Sequence, residues 1–195
     1  VVVTSLKPTA NIIRVPPEWI PWPATLEHYV EVLFSSSRTA RIGRGFVNSL
    51  VVSLGTVILV VGTSALAAYP LARMRFPGKT LVFGVIVGSL MIPNAVVLVP
   101  QYVLVQRLGW LSTYQGLIVP EAAVTFAFGV FLLRQFFLTI PHDLEDASLI
   151  DGANTWQVFS RIVVPLSQPV LAALAIFAFR SAWNDFLWPL IAVNR

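Results

Sequence analysis

Cysteine is absent from the 195-residue sequence, and histidine occurs only twice. The absence of cysteine excludes disulfide bonds, thiolate metal sites and a cysteine nucleophile. The two histidines, His28 and His142, are far apart in the sequence. A histidine-rich metal site is therefore not expected.

Charge is also scarce. Asp, Glu, Lys and Arg make up 11% of the residues, whereas ordinary soluble domains carry about 25%. Residues 45–72, 80–106 and 162–179 contain no charged side chain at all. Apolar runs of about 18–20 residues are long enough to cross roughly 30 Å of hydrocarbon as a helix. The composition therefore predicts an integral membrane protein.

The positive charges that are present do not form a patch. The net charge is +4, and the basic residues are scattered along the chain. A surface that binds nucleic acid needs basic residues clustered on one face. No nucleic-acid partner is expected.

Four membrane spans are predicted within a transmembrane domain of residues 46–195. They cover about residues 46–69, 81–100, 116–137 and 166–191, and Pro93 is expected to kink the second span. Residues 1–45 form a separate segment rich in proline and tryptophan, which suits a membrane–water interface. A short amphipathic helix is predicted in this segment from Leu26 to Phe34.

A polar stretch, residues 141–165, separates the last two predicted spans. Residues 143–150 place apolar side chains at helical spacing, which predicts a short helix. Gly152 then allows a left-handed turn. Asn154, with Gln157 three residues later, has the pattern of a capping box at the start of a second helix.

The second helix of this stretch is predicted to carry Trp156, Phe159 and Val163 on one side. Pro165 is expected to mark its end, because proline disfavours helical geometry in the residue before it. Aromatic side chains exposed away from the membrane usually mark interaction surfaces. The pattern therefore favours a docking site for a partner over a solvated connector without one.

The stretch also resembles a known motif. Residues 146–152 read DASLIDG, nine residues follow, and residues 162–165 read IVVP. This resembles the EAA motif of bacterial ABC-importer permeases: E-A-A, three residues, G, nine residues, then I-x-L-P. Asp146 stands in place of Glu, Ser148 in place of the second Ala, and Val164 in place of Leu.

The likeness extends over nearly the whole chain, from about Ser5 to the C-terminus. Residues 150–153 (IDGA) and 183–186 (WNDF) resemble the carbohydrate-uptake branch of these permeases. The resemblance implies an all-α, MetI-like transmembrane bundle with six spans in the full-length protein. One further span is thus expected before residue 1 and another after residue 195.

The resemblance also implies a function and a set of partners. The chain would be a multi-pass permease subunit in a bacterial inner membrane, importing a sugar, an oligosaccharide or a glycerol-phosphate type of solute. Its implied partners are a second homologous permease, an extracytoplasmic solute-binding protein, membrane lipid and two cytoplasmic ATPase subunits. Because those ATPases bind the ATP and magnesium, this chain would hold no cofactor and would not be an enzyme.

In this interpretation the EAA-like stretch, called the coupling loop below, contacts the ATPases from the cytoplasm. The residues expected to make or support that contact are Glu145, Asp146, Ala147, Ser148, Asp151, Gly152, Ala153, Trp156, Phe159 and Pro165. The distribution of Lys and Arg on the two sides leans towards the opposite orientation. The cytoplasmic placement therefore rests on the resemblance.

Arg180 lies inside the last predicted span, where an arginine costs at least about 2.5–3.5 kcal/mol unless it faces protein or water. With Trp183, Asn184 and Asp185 it is a candidate lining for a sugar path, since sugar hydroxyls need donors and acceptors. The alternatives are a structural ion pair and an arginine that extends outward to the interface. Glu121, near the start of the third span, is interpreted as interfacial in preference to pathway-facing.

Other classes of protein are less well supported. Residues 78–80 (GKT) imitate the end of a phosphate-binding loop, but Arg73 occupies the position of its first glycine, so ATP binding by this chain is not expected. An ion-gradient-driven secondary transporter is the main rival; its candidate intramembrane carboxylates are Glu121 and Asp185. A membrane-embedded enzyme would need a catalytic cluster within the spans that the sequence lacks.

Overall fold

The computed structural model describes residues 2–8, 22–34 and 41–193, and within these ranges it contains helices and no strand. The all-helical class predicted from the sequence is confirmed. The chain divides into two compact units, Val1–Leu50 and Val51–Arg195. The division falls a few residues after the predicted boundary at residue 45.

The first unit contains α1 (Val2–Ser5), α2 (Glu27–Phe34) and the beginning of α3 (Arg41–Arg73). Helix α2 coincides with the predicted amphipathic helix. His28 Nε2 lies 2.9 Å from the carbonyl of Lys7, which holds α2 against the preceding segment. Most of the proline- and tryptophan-rich stretch predicted to lie at the membrane interface falls outside the described residues.

Helix α3 has 33 residues and is longer at both ends than the predicted first span. The charge-free run marks the part of the helix suited to hydrocarbon, whereas the helix itself extends into the flanking arginines. Its portion in the second unit ends at Arg73, close to the coupling loop.

The second predicted span is divided into two helices, and the prediction of one kinked helix is wrong. Helix α4 (Lys79–Ser89) and α5 (Asn94–Arg107) meet at an angle of 98°. Pro93 has an extended backbone (φ −63°, ψ 134°) and no N–H to donate to a helix, so it separates the two. Helix α5 also continues to Arg107, beyond the end predicted for the second span at about residue 100.

Helix α6 (Tyr114–Phe137) agrees closely with the third predicted span. Thr113 caps its start, because its side-chain oxygen accepts the backbone N–H of Gly116 at 3.2 Å. The coupling loop then begins with α7 (His142–Ile150), which a turn separates from α8 (Thr155–Val158).

A π-helical turn, Phe159–Val163, and the short α9 (Val164–Leu166) follow α8 without interruption. Helix α10 (Gln168–Asn184) then leaves at 76°. The boundary expected at Pro165 therefore lies two residues later, at Ser167, because Pro165 sits in the first turn of α9, where its missing N–H costs little. Helix α11 (Leu187–Ala192) ends the described chain, so the predicted fourth span is also broken.

The core of the second unit lies between α3, α6, the π-helical turn and α10. Its fully buried side chains include Val60, Leu133, Phe137, Val163 and Leu174. At Gly129 an added Cβ would collide with Ser64 Oγ, so α3 and α6 approach closely only because this residue lacks a side chain.

Two helices in the described residues, Gly43–Arg73 and Tyr114–Phe137, are long and apolar enough to cross a membrane. The number rises to four if the α4–α5 pair and the bent pair ending in α10 each form one broken span. Breaks of this kind are tolerated at membrane depth where they line a cavity or are buried in protein.

Candidate functional site

The coupling loop has the helix–turn–helix form predicted from its sequence. Helix α7 ends at Ile150, and Gly152 has φ +85°, a left-handed conformation that glycine adopts without a Cβ penalty. Apart from Gly152 and its two neighbours in the chain, no atom of the described residues lies within 4 Å of the place where a Cβ would stand. The requirement for glycine here is therefore one of backbone conformation.

The predicted capping box at the start of α8 is confirmed. Asn154 Oδ1 accepts the backbone N–H of Gln157 at 2.9 Å, and Gln157 Oε1 accepts the backbone N–H of Asn154 at 2.8 Å. These reciprocal bonds satisfy two donors that the helix terminus leaves open. They fix the direction in which the chain leaves the turn.

The two aromatic residues of α8 and the π-helical turn occupy different environments. Their rings are 5.4 Å apart, but Trp156 is 62% exposed, whereas Phe159 is 7% exposed and packs against Tyr69 of α3. Phe159 therefore belongs to the core of the second unit, and the expectation that it shares an exposed docking face with Trp156 is corrected. Trp156 alone provides the exposed aromatic surface.

The other residues expected to couple to the ATPases are divided in the same way. The exposed ones are Asp146, Ala147, Asp151, Gly152 and Pro165, and the partly buried ones are Ser148 and Ala153. Glu145 is buried, so in this chain it faces inward and offers no direct contact to a partner. Ser148 Oγ donates to the carbonyl of Glu145 at 2.8 Å within α7.

Glu145 is paired with Arg73, the last residue of α3. Arg73 Nε lies 2.8 Å from Glu145 Oε1, and both side chains are almost inaccessible to solvent. The contact is ionic, because the N–H is not aligned with the oxygen as in a hydrogen bond. Sequence reasoning missed this pair, since the two residues are 72 positions apart and no local pattern connects them.

A second polar region lies at the far end of α10, where a cavity of about 650 Å³ opens between α5, α6, α10 and α11. The cavity is lined by polar and apolar side chains together. The polar ones are Asn94, Gln101, Glu121, Arg180, Ser181, Asn184 and Asp185, and the apolar ones include Leu98, Phe177 and Trp188.

The structure brings three of the four predicted pathway residues to this cavity: Arg180, Asn184 and Asp185. Trp183 is not among the lining residues and stacks on Phe179 with ring centroids 5.4 Å apart. Trp188 lines the cavity instead, and its indole N–H donates to the carbonyl of Gly116 at 3.0 Å.

Arg180 is exposed to the cavity and forms no ion pair with any carboxylate in the described part of the chain. The nearby Asp185 has another role, since its Oδ1 accepts the backbone N–H groups of Leu187 and Trp188 at the start of α11. A structural ion pair is therefore not the arrangement seen for Arg180. Its guanidinium remains available to a ligand or to water.

Glu121, for which an interfacial position was preferred, lies two turns inside α6 and lines the cavity. Its Oε1 accepts the hydroxyl of Ser181 at 2.6 Å, which joins α6 to α10 across the cavity wall.

Asn94 and Gln101 of α5 also line the cavity and were missed. Their spacing of seven residues places both on one face of a helix. That signal could have found them if a helix had been expected to start after Pro93.

Two further polar features of the described residues concern ligands considered in the sequence. No three His, Asp or Glu side chains in the described ranges lie close enough to hold a metal ion. Lys79, the lysine of the sequence that imitates a phosphate-binding loop, donates to the carbonyls of Ala72 and Met74 at 3.2 and 2.9 Å. Its ammonium group therefore caps the end of α3.

Comparison with known proteins gives a consistent result. Residues 59–194 match the family described as binding-protein-dependent transport system inner membrane component. The diacetylchitobiose uptake system permease protein of Streptomyces coelicolor is 38% identical over 198 residues, covering 100% of this chain and 62% of that protein. The trehalose transport system permease protein of Mycobacterium tuberculosis is 35% identical, covering 94% of this chain and 65% of that protein.

The chain thus spans slightly less than two thirds of the length of these relatives. Among solved structures, a chain of a bacterial ABC transporter involved in the import of the acidic polysaccharide alginate superposes with a TM-score of 0.85. The two chains are 22% identical, and the match covers 100% of this chain and 66% of the other. Similarity at this level of identity shows a shared fold.

Proposed function

The chain belongs to the family of binding-protein-dependent transport system inner membrane components, and on that basis we propose that it is a permease subunit of an ATP-driven carbohydrate importer. The family membership agrees with the resemblance seen in the sequence. Relatives named for the uptake of diacetylchitobiose and trehalose support a carbohydrate as the transported solute. The chain itself would carry out no bond chemistry.

The polar cavity is the observation that carries the transport role. It collects uncharged amides, a hydroxyl, an arginine and carboxylates in a chain that is otherwise 56% hydrophobic. Its volume of about 650 Å³ lies in the range of small-molecule sites. Sugar hydroxyls need hydrogen-bond donors and acceptors, and the C–H faces of sugar rings pack on aromatic side chains. Arg180, Asn184, Gln101 and Trp188 supply these groups.

The broken helices support the same interpretation. Helix α5 begins at the break after Ser89, and α10 ends at the break before α11, so two helix termini border the cavity. Non-helical backbone at membrane depth is typical of substrate sites in transporters. We propose that cargo passes along this wall of the bundle, with a second homologous permease completing the path.

The coupling loop would dock into a cytoplasmic ATPase subunit of the importer. Asp146, Asp151 and Trp156 are exposed on it, and a fixed turn and a capping box hold their backbone. A rigid, exposed surface with a central aromatic residue is the form that docking sites commonly take. ATP-driven closure of two ATPases would move the loop and switch the access of the cavity between the two sides of the membrane.

Transport by the reconstituted complex tests the proposal. The full-length permease would be placed in proteoliposomes with its companion permease, ATPases and solute-binding protein. Radiolabelled diacetylchitobiose, trehalose and maltose would be supplied in turn. We expect uptake of at least one of these sugars that requires ATP and persists when an ionophore collapses ion gradients. Ionophore-sensitive uptake without ATP would instead identify a secondary transporter.

A variant within the cavity sharpens this test. Arg180→Met keeps the length of the side chain but removes its donors, so it should lower sugar uptake while the ATPase subunits still copurify. Arg107→Met, at the exposed end of α5 and outside the cavity lining, is the matched control and should transport normally. Normal uptake by Arg180→Met would show that Arg180 is not part of the transport path.

A further inference from the structure

Arg73 joins the end of α3 to the coupling loop, and to Ile140 just before it, through the three nitrogens of its guanidinium. Nε pairs with Glu145 Oε1 at 2.8 Å, Nη1 donates to His142 Nε2 at 2.8 Å, and Nη2 donates to the carbonyl of Ile140. The Arg73 side chain is 3% exposed. Every one of these contacts crosses from α3 to the segment that begins the loop.

The chemistry of this contact makes it rigid. A guanidinium is planar and presents its donors in a fixed fork, so three simultaneous partners leave it no alternative position. A charge pair removed from water is also costly to break from one side, because the remaining charge is left without a partner. The beginning of α7 and the end of α3 are therefore expected to move together.

Two other cations bind the same end of α3 through hydrogen bonds to its backbone carbonyls. Arg134 of α6 donates from Nε to the carbonyl of Leu71 at 3.0 Å, and Lys79 of α4 donates to the carbonyls of Ala72 and Met74. These contacts hold α6 and α4 to α3.

Along the polypeptide, the coupling loop is continuous with α6 on one side and α10 on the other. It is not directly continuous with α3, whose last residue, Arg73, lies 69 positions before His142, the first residue of α7. Packing of Phe159 against Tyr69 is non-directional, whereas two of the Arg73 contacts are directional hydrogen bonds, and one of these is to His142 of α7.

We propose that Arg73 is a positioning residue that carries displacement of the coupling loop into α3, so that ATP-driven motion of the loop reaches this helix as well as α6 and α10. The proposal rests on the proposed docking of the loop to an ATPase. Without Arg73 the loop would still present its exposed residues to the ATPase. Its movement would no longer be transmitted fully to the membrane helices.

The test measures sugar uptake and ATP hydrolysis in parallel in proteoliposomes that contain the complete importer. Arg73→Met removes the charge and the donors, and Glu145→Gln removes only the negative charge. Arg75→Met is the matched control, since Arg75 lies in the same turn and is exposed. We expect Arg73→Met to keep its ATPase subunits and to hydrolyse ATP, while sugar imported per ATP falls by at least about fivefold. The amount of sugar imported per ATP by Glu145→Gln should lie between the values for Arg73→Met and for the control.

An unchanged ratio of sugar to ATP in Arg73→Met would overturn the proposal. Loss of ATPase binding in step with loss of uptake would also overturn it, because Arg73 would then only shape the docking surface. Failure of the proposed function looks different, since the unmodified importer would then show no ATP-dependent uptake.

If Arg73→Met yields too little assembled complex, a second experiment replaces the ion pair with a chemical crosslink. The 195 residues contain no cysteine, so within them a thiol reagent reacts only at introduced positions. In the double variant Arg73→Cys with Glu145→Cys, a short bifunctional thiol crosslinker should restore the ratio of sugar to ATP. Crosslinking of either single variant should not. A confirmed crosslink that leaves the ratio low would contradict a mechanical role for this contact.

Discussion

The two ends of helix α10 lead to regions that use polar side chains in opposite ways. Near its start, the coupling loop is joined to α3 by the ion pair between Glu145 and Arg73, and it contains a capping box and a buried phenylalanine. Near its end, the cavity contains Arg180, which pairs with no described carboxylate, and the exposed amide of Asn94. In the first region the charged side chains are buried and paired with each other, and in the second Arg180 is exposed and unpaired among the described carboxylates.

This difference suits the two regions to different roles: transmission of motion in the coupling loop and binding of a sugar in the cavity. A contact that must carry force between elements benefits from being buried, directional and fully satisfied. A surface that must hold a sugar and then release it needs donors and acceptors that are not already engaged within the chain. The same helix, α10, connects the two regions over 17 residues, or about 25 Å.

The largest expected difference between the two regions concerns stability. Phe159→Ala empties a core site and should lower the free energy of unfolding by about 3–5 kcal/mol. Phe177→Ala, at a half-exposed position in the cavity wall, should lower it by about 1 kcal/mol or less. Thermal unfolding of the purified permease in detergent measures both. Equal losses would mean that the cavity wall is packed as tightly as the loop.

Removal of the exposed aromatic residue should affect docking and leave folding intact. Trp156→Ala should weaken binding of the ATPase subunit by about 2 kcal/mol, or roughly 30-fold. The control is Trp22→Ala, which removes a tryptophan that is 86% exposed in the first unit. Titration of ATPase subunits onto the immobilised permease gives the two affinities. If Trp22→Ala weakened binding as much as Trp156→Ala does, the coupling loop would have no specific role in binding the ATPase subunit.

The turn of the coupling loop should respond to backbone conformation alone. Gly152→Val places a β-branched residue at φ +85°, which costs roughly 1–2 kcal/mol or more, although there is space for the side chain. We expect normal membrane insertion, with loss of ATPase subunits or ATP hydrolysis without transport.

Gly152→Asn is the matched variant, since asparagine tolerates the left-handed region. It should retain most of the docking that Gly152→Val loses. Docking that falls equally in both variants would point to the added side chain as the cause.

The smallest expected effect lies in the cavity. Ser181→Ala removes the hydroxyl that donates to Glu121 at 2.6 Å and should change the apparent affinity for sugar by about 1 kcal/mol, or roughly fivefold. Ser148→Ala removes a hydroxyl of the coupling loop and should leave this affinity unchanged. Uptake measured over a range of sugar concentrations separates the two variants.

The sequence predicted local structure better than it predicted long-range contacts. The helices of the coupling loop, the left-handed Gly152 and the capping box all depend on residues within a few positions of one another, and each is present. The break at Pro93 was predicted to be a kink. A proline in the sequence shows where a helix is disturbed, but it does not show how large the change in direction is.

Contacts between distant elements could not be read from local patterns. The pairing of Arg73 with Glu145 and the burial of Phe159 depend on how α3 packs against the loop. Glu121 was assigned to the interface from its position near the start of a span, whereas the rotation of α6 turns it towards Arg180 and Ser181. The spacing of side chains predicts which of them share one face of a helix. Only the packing of the helices determines which residues that face contacts.

Protection of introduced cysteines from a thiol reagent tests most directly whether the two regions have separate ligands. Asn94→Cys lies in the cavity lining, and Thr155→Cys is exposed at the start of α8 without disturbing the capping box. In the complete importer, we expect the imported sugar to slow labelling of Asn94→Cys and not of Thr155→Cys. Assembly with the ATPase subunits should slow labelling of Thr155→Cys and not of Asn94→Cys. If sugar leaves the labelling of Asn94→Cys unchanged, or the ATPases leave that of Thr155→Cys unchanged, the division between a binding region and a coupling region is wrong.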